Sequence, residues 1–187
     1  MTKEDKYLLG VLWKFGTIKP GTNQFVFQSY DKYDQMEYIR KRLAPDKVIK
    51  VSERKDPRSG AVKTLYRLNF TNADWADKVR NLLSIENINN YLDEDFIRGF
   101  LETKSNVSKN GNTKCFNMSL SNIEESDSIS LKMSELCGTN IIKTNNNIGK
   151  SCMLRYLLKD TVKIVNKFSS KNPKYWGEIL KKMNPDE

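Results

Sequence analysis

Residue types capable of covalent chemistry are few in this chain, and their spacing excludes most mechanisms. Its 187 residues include no histidine. That removes Ser-His-Asp and Cys-His nucleophilic catalysis and any hydrolysis that needs an imidazole base. The cysteines, Cys115, Cys137 and Cys152, form no CxxC pair, so neither a disulfide framework nor a structural zinc site is expected. Catalysis would have to come from carboxylates holding a metal such as Mg²⁺. Asp93, Glu94 and Asp95 lie together, but at a helix start, where capping and the helix dipole account for them. Gly149-Lys150-Ser151 matches the end of a phosphate-binding loop, yet the asparagine-rich segment before it lacks the first glycine of GxxxxGK and a strand follows instead of a helix. Nucleotide binding is not expected. Asn69, Asn106 and Asn117 open N-x-Ser/Thr sequons, which carry no meaning without a secretory signal.

Recognition chemistry is better represented. Polar and basic side chains recur at every second position in several segments. Phe25 and Phe27 alternate with Gln24, Val26 and Gln28; Tyr66, Leu68 and Phe70 alternate with Lys63, Leu65, Arg67 and Asn69; Phe116, Met118 and Leu120 alternate with Cys115, Asn117, Ser119 and Ser121. A period of two sends the apolar set to a packed face and the polar set to an open one. The open-face set in the first half is Gln24, Gln28, Lys47 or Lys50, Arg54, Lys63, Arg67 and Asn69, with Arg58 on a loop. In the second half it is Asn117, Ser119, Ser121, Lys143, Ser151 and Arg155. Asn and Gln match adenine edges, Arg matches guanine, and Lys more often meets phosphate. A slip of one residue would flip any member to the other face; Lys50 points outward only if its strand is regular.

Charge points the same way without deciding it. Lys and Arg number 32 against 23 Asp and Glu, a net charge of +9. Residues 1–90 hold 17 basic against 11 acidic residues, and the remainder 15 against 12. Such an excess fits a polyanionic partner and equally fits a merely basic soluble protein.

The elements that must position these residues repeat. The first half reads as a helix over residues 3–15, a strand over 23–29 after the Lys19-Pro20-Gly21 turn, and a helix over 32–43 ended by Pro45. A hairpin of 47–54 and 62–70 follows, then a helix capped by Thr71 or Asn72 and reaching Leu83. After a short asparagine-rich linker, Asp93 caps a helix over 94–103. A hairpin turns at Asn110-Gly111-Asn112 and continues through 114–121, followed by a short helix over 128–136. Strands near 140–144 and 151–157 and helices over 160–168 and 173–183 complete the pattern. Trp75 and Trp176 fall on amphipathic helices as packing anchors. The order αββαββα, twice, predicts two antiparallel sheets with helices on one side and polar, basic faces on the other, a known geometry for reading the major groove. No run reaches the 18 apolar residues of a membrane span, and the N-terminus lacks a signal-peptide pattern. A cytoplasmic protein without a membrane partner is the expectation.

Two segments carry a more specific signal. Tyr7-Leu8-Leu9-Gly10-Val11-Leu12-Trp13-Lys14-Phe15-Gly16 and Phe96-Ile97-Arg98-Gly99-Phe100-Leu101-Glu102-Thr103-Lys104-Ser105 are apolar helical runs, each with one central glycine. They resemble the motif helices of the LAGLIDADG homing endonucleases in their single-chain, two-repeat form, where family members carry sequences such as FLRGFFDGDGS. The resemblance covers nearly the whole chain. It implies that the two helices pack at a pseudo-twofold axis through Gly10 and Gly99. In that family the acidic residue before the last glycine or serine of each motif binds divalent metal. The matching positions here are Phe15 and Lys104, and neither can ligate Mg²⁺. Glu102 matches an earlier acidic position associated with helix-end packing or capping, and Trp13 stands there in the first run.

The resulting expectation is an α/β (α+β) fold of two pseudo-symmetric repeats, residues 1–84 and 93–187 with a linker over 85–92, whose sheets form a DNA-binding saddle. It would be a monomer that binds double-stranded DNA sequence-specifically, with no catalytic or metal-binding residue and no cofactor, acting as a transcriptional repressor or regulator. Lys104 would meet phosphate in place of a metal. An active Mg²⁺-dependent endonuclease using Glu102 and an RNA-binding intron maturase are the alternatives.

Overall fold

The computed structural model describes residues 1–55, 60–82, 88–110, 112–142 and 152–184. The first half runs α1 (Lys3–Leu12), β1 (Thr17–Ile18), β2 (Gln24–Ser29), α2 (Tyr33–Leu43), β3 (Lys50–Lys55), β4 (Val62–Thr71) and α3 (Ala73–Asn81). The second runs α4 (Glu94–Lys104), β5 (Ser105–Asn110), β6 (Thr113–Leu120), α5 (Ile123–Cys137), β7 (Cys152–Tyr156), α6 (Leu158–Phe168) and α7 (Pro173–Met183). Both sheets are antiparallel, with strand orders β1-β2-β4-β3 and β5-β6-β7. Among the described residues no helix is long and apolar enough to cross a membrane.

Local chemistry sets the helix starts. Thr2 and Asp5 form a reciprocal capping box on α1, so two otherwise orphaned amides are satisfied. Asn72, Asp93, Asn122 and Asn172 each accept a hydrogen bond from an amide of the helix that follows. Pro173 takes the first turn of α7, where its missing N–H costs nothing.

The motif helices hold the centre. Leu8, Leu9, Val11 and Leu12 of α1 and Phe96, Ile97, Phe100 and Leu101 of α4 are buried. Such continuous burial is expected where a helix is enclosed by a partner helix on one side and its own sheet on another. At Gly10 a Cβ would collide with the Phe96 carbonyl oxygen, and at Gly99 one would collide with that of Tyr7. The contacts are reciprocal. Only glycine lets the two backbones approach this closely. Trp13 closes the seam, 4.8 Å from Phe100 and 5.5 Å from Phe96 between ring centroids.

Each sheet packs its helices on one face. Phe25, Phe27 and Phe70 stack beneath α2 and α3, which bury Met36, Ile39, Ala76 and Val79. Phe116, Met118, Leu154 and Tyr156 meet Ile129 and Met133 of α5, Ile164 and Phe168 of α6, and Trp176 and Ile179 of α7.

Several boundaries differ from the sequence expectation; β3, for one, begins at Lys50 and not at residue 47. Helix α1 stops at Leu12, not residue 15: Trp13 is extended and Lys14 adopts a left-handed φ of 69°. Helix α5 starts at Ile123 instead of residue 128, because Asn122 caps the Glu125 amide while Glu125 accepts the Ser121 amide. Its end is set by Gly138 in the left-handed region. Asn140–Ile142 join no ladder; the Ile142 amide donates instead to Ser130 Oγ at 2.7 Å. The rest of that expected strand lies outside the described residues.

Candidate nucleic-acid interface

Strand register defines the face turned away from the helices. In the first sheet, Arg67 lies between Gln28 on β2 and Lys50 on β3, Asn69 pairs with Val26, Gln24 with Thr71, and Lys63 with Arg54. Cross-strand partners share a face, so Gln24, Gln28, Lys50, Arg54, Lys63, Arg67 and Asn69 all stand on one side, opposite Phe25, Phe27, Leu68 and Phe70. Ser52 and Leu65 complete this face, and Thr17 extends it along β1. Glu53 belongs to the other side, so the described strand residues of the open face include no acid. Lys50–Arg67 and Arg54–Lys63 are therefore like-charged pairs directly across the ladder, an arrangement that opposes folding. Arg67 Nε is buried without a partner among the described residues. Lys63 lies 6.0 Å from the centroid of the Tyr30 ring. Lys47 precedes the strand and pairs with Asp46 at 2.7 Å.

The second sheet presents a different surface. Asn106, Asn117 and Arg155 form one row, Ser108 and Cys115 another, and Ser119 and Met153 a third. Arg155 is the only cation among the described residues of these rows. Ser119 and Arg155 are exposed. Asn117 is 3% exposed, and its Nδ2 donates to Ser108 Oγ and the Cys115 carbonyl, both at 2.8 Å. It cannot serve as the open reader the alternation predicts. Ser121 is also engaged, its Oγ accepting from Lys14 Nζ at 2.7 Å. Arg58, Lys143 and Ser151 lie outside the described residues. Alternation also missed Asn106 and Ser108: the strand before the Asn110 turn has only Val107 as an inward apolar residue.

Between the two sheets the motif helices end unequally. Helix α4 continues to Lys104, whereas the matching stretch of α1 has already unwound and Phe15 packs on Phe27 at 5.5 Å. Lys14, which no alternation pattern marks, reaches Glu125 at 2.8 Å and lies 5.0 Å from the Trp13 ring. The contact joins the end of α1 to the start of α5. Lys104 is half-buried and has no hydrogen-bond or ion-pair partner among the described residues. Burial, together with the neighbouring Lys14 ammonium, lowers its pKa. Lys32 is lowered in the same way, chiefly by burial, and donates to the Glu102 carbonyl oxygen at 3.2 Å.

Glu102 packs in the last turn of α4, where it joins neighbouring helices and is not a cap. Its carboxylate is 1% exposed. It accepts from Tyr7 Oη at 2.8 Å, Asn172 Nδ2 at 2.9 Å and Trp176 Nε1 at 3.2 Å, tying α4 to α1 and α7. Burial and the Glu102 carboxylate push the Tyr7 phenol pKa far up, so it remains a donor. No group of three or more metal-ligating side chains that could hold an ion occurs among the described residues.

No family model and no curated protein matches the chain. Solved structures do. The homing endonuclease I-WcaI, bound to its DNA recognition sequence, aligns with a TM-score of 0.63 at 15% identity over 95% of this chain and 85% of its own. The structure of I-DmoI in complex with DNA and Mn aligns with a TM-score of 0.53 at 15% identity over 91% and 98%. The N-terminal LAGLIDADG domain of DUF199/WhiA gives 0.53 at 10% identity over 98% and 83%. These likenesses, with the reciprocal glycine contact and the two antiparallel sheets, establish that the chain adopts the fold of the LAGLIDADG homing endonucleases.

Proposed function

We propose that this chain is a sequence-specific double-stranded DNA-binding protein that holds its target without cutting it. The observation that carries this proposal is the open face of the first sheet. A like-charged cross-strand pair, Lys50–Arg67, is held there, with Arg54 and Lys63 facing each other further along the same ladder. The Lys50–Arg67 pair costs folding energy and becomes favourable when phosphates approach. Gln24, Gln28 and Asn69 lie among them and bring donor–acceptor pairs to base edges, while Arg67 and Arg54 suit guanine. The structures of I-WcaI and I-DmoI with DNA support the same use of the fold.

Absence of cleavage rests on the motif ends. Phe15 offers no oxygen and packs on Phe27, Lys104 places a cation where a metal would need a carboxylate, and Glu102 is occupied by three donors. A binder without cleavage suits a transcriptional regulator acting as a monomer in the cytoplasm, with an asymmetric target set by two unlike sheets. In vitro selection from randomised duplex DNA, run in EDTA and in Mg²⁺ with products resolved on a denaturing gel, tests the proposal. A long enriched motif bound intact under both conditions is the expected result. Mg²⁺-dependent cleavage, or no enrichment over random duplex, would overturn it.

A further inference from the structure

Lys104 is out of keeping with its position. A lysine in the last turn of a helix usually extends to solvent and benefits from the negative end of the dipole. Lys104 is instead half-buried, with no acceptor among the described residues. The charged neighbour that contributes to its lowered pKa is Lys14, a like charge. Lys14 is itself satisfied by Glu125 and Ser121, so that carboxylate is committed elsewhere. Lys32, the next ammonium in the series, adds to the repulsion and is not an acceptor. Desolvating a cation without a partner costs the fold energy that an apolar side chain would not. A cost that no contact among the described residues offsets points to a ligand that arrives later.

Location narrows the ligand. Lys104 directly precedes β5, and Lys14 is separated from β1 only by Phe15 and Gly16. The lysines therefore stand where the motif helices run out, at the chain's entry into both open faces. We propose that Lys104 is a phosphate seat at the end of the helix pair, taking one backbone phosphate of a duplex laid along the two sheets without a divalent cation. The seat rests on the DNA-binding proposal for its natural ligand. Its chemistry is more general: an ammonium with three donors, already partly stripped of water, accepts a phosphate oxygen with little further desolvation.

The test uses the whole chain in EDTA with two probes. Random-sequence duplex DNA is titrated over a range of NaCl concentrations for the unmodified protein, Lys104→Met and Lys104→Arg. Inorganic tripolyphosphate is titrated separately and followed by NMR of ¹³C-labelled lysine side chains. In Lys104→Met the slope of log K against log salt should shrink in magnitude by about 0.9, the value of one lost phosphate contact. Duplex affinity at low salt should fall roughly ten- to hundredfold. Lys104→Arg should recover both, Lys104→Met should melt no lower than the parent, and the Lys104 signal should move with tripolyphosphate before those of exposed lysines. An unchanged slope with an unmoved Lys104 signal would overturn the seat. So would a lower melting temperature with an unchanged slope, the mark of a structural lysine. Tripolyphosphate captured at Lys104 by a protein that binds no duplex would support the seat and overturn the DNA-binding proposal.

Discussion

Glu102 is the carboxylate on which catalysis and structure make opposite predictions. Its two oxygens receive three donors, Tyr7 and Asn172 on Oε2 and Trp176 on Oε1. Glu102→Gln keeps the volume but supplies only one acceptor oxygen. With that oxygen toward Tyr7 and Asn172, the new amide nitrogen faces the Trp176 N–H, donor against donor. One bond is lost at about 1.5–3 kcal/mol and two weaken from charged to neutral, partly offset by burying a neutral group. The net loss should be about 2–4 kcal/mol, a large part of the roughly 5–15 kcal/mol available to a domain. Glu102→Leu should cost more, because three donors would be left unmatched at about 1–3 kcal/mol each.

Urea unfolding followed by tryptophan fluorescence measures the cost directly, and the midpoint should fall in the order parent, Gln, Leu. Duplex affinity in EDTA, measured where each variant is folded, should be unchanged. A parent protein that nicks DNA in Mg²⁺, with Glu102→Gln equally stable but inactive, would refute this argument.

The other predictions test packing, protonation and charge. Gly10→Ala and Gly99→Ala should each destabilise by about 1–3 kcal/mol despite a helix-propensity gain near 1 kcal/mol, and the double variant should lose less than the sum, because helices already separated admit the second methyl; denaturant midpoints check both. Lys104→Met should be more stable than the parent at neutral pH. Lys104 has a lowered folded-state pKa, so its unfolded form binds more protons between that folded value and the ordinary lysine value of about 10.5. The variant's advantage should therefore be full below the folded pKa and shrink as pH rises toward that ordinary value, as a paired series of melts would show. Arg67→Gln or Lys50→Gln should lower the salt slope for duplex binding by about 0.9 if the side chain meets phosphate, and Arg67→Gln should relax specificity at one base position if it meets guanine. The double change Phe15→Asp with Lys104→Asp should not create Mg²⁺-dependent cleavage in a gel assay, since position 15 lies outside the helix and against Phe27.

Most of the open face was legible because strand alternation is a local property. Phe25 and Phe27, or Leu68 and Phe70, identify a packed side without any knowledge of the partner strand, and the polar residues between them must then face outward. Helix α7 was equally legible, since Asn172, Pro173 and the spacing of Trp176, Ile179 and Met183 act within one element. The end of α1 was not. Trp13, Lys14 and Phe15 continue an apolar helical pattern, and only distant contacts with Glu125, Phe27 and Phe100 favour the unwound, left-handed exit. The partners of Glu102 were illegible for the same reason: Tyr7, Asn172 and Trp176 are remote in sequence and adjacent only in the fold. Asn117 was placed on the correct face, but burial beside Ser108 depends on β5, which alternation hardly marks.

The differences between the two motif helices follow an order that bears on function. At Gly10 and Gly99 the two helices meet in equivalent ways, because close backbone packing admits few alternatives. One turn later the equivalence is gone: Trp13 fills an aromatic seam where Glu102 ties three helices, and Phe15 serves the first sheet where Lys104 remains helical. A paired metal site needs two carboxylates presented from equivalent positions on both sides of one axis. Here Phe15 and Lys104 stand at the two motif ends on unlike backbones, so substituting either residue alone does not present two matched carboxylates. Trp13, Lys14, Phe15 and Glu102 each have a packing or pairing role there, and Lys104 has none with a described residue. The half-buried Lys104 ammonium and the Lys50–Arg67 pair are two places among the described residues where stability is given up, and both carry the charge that phosphate complements.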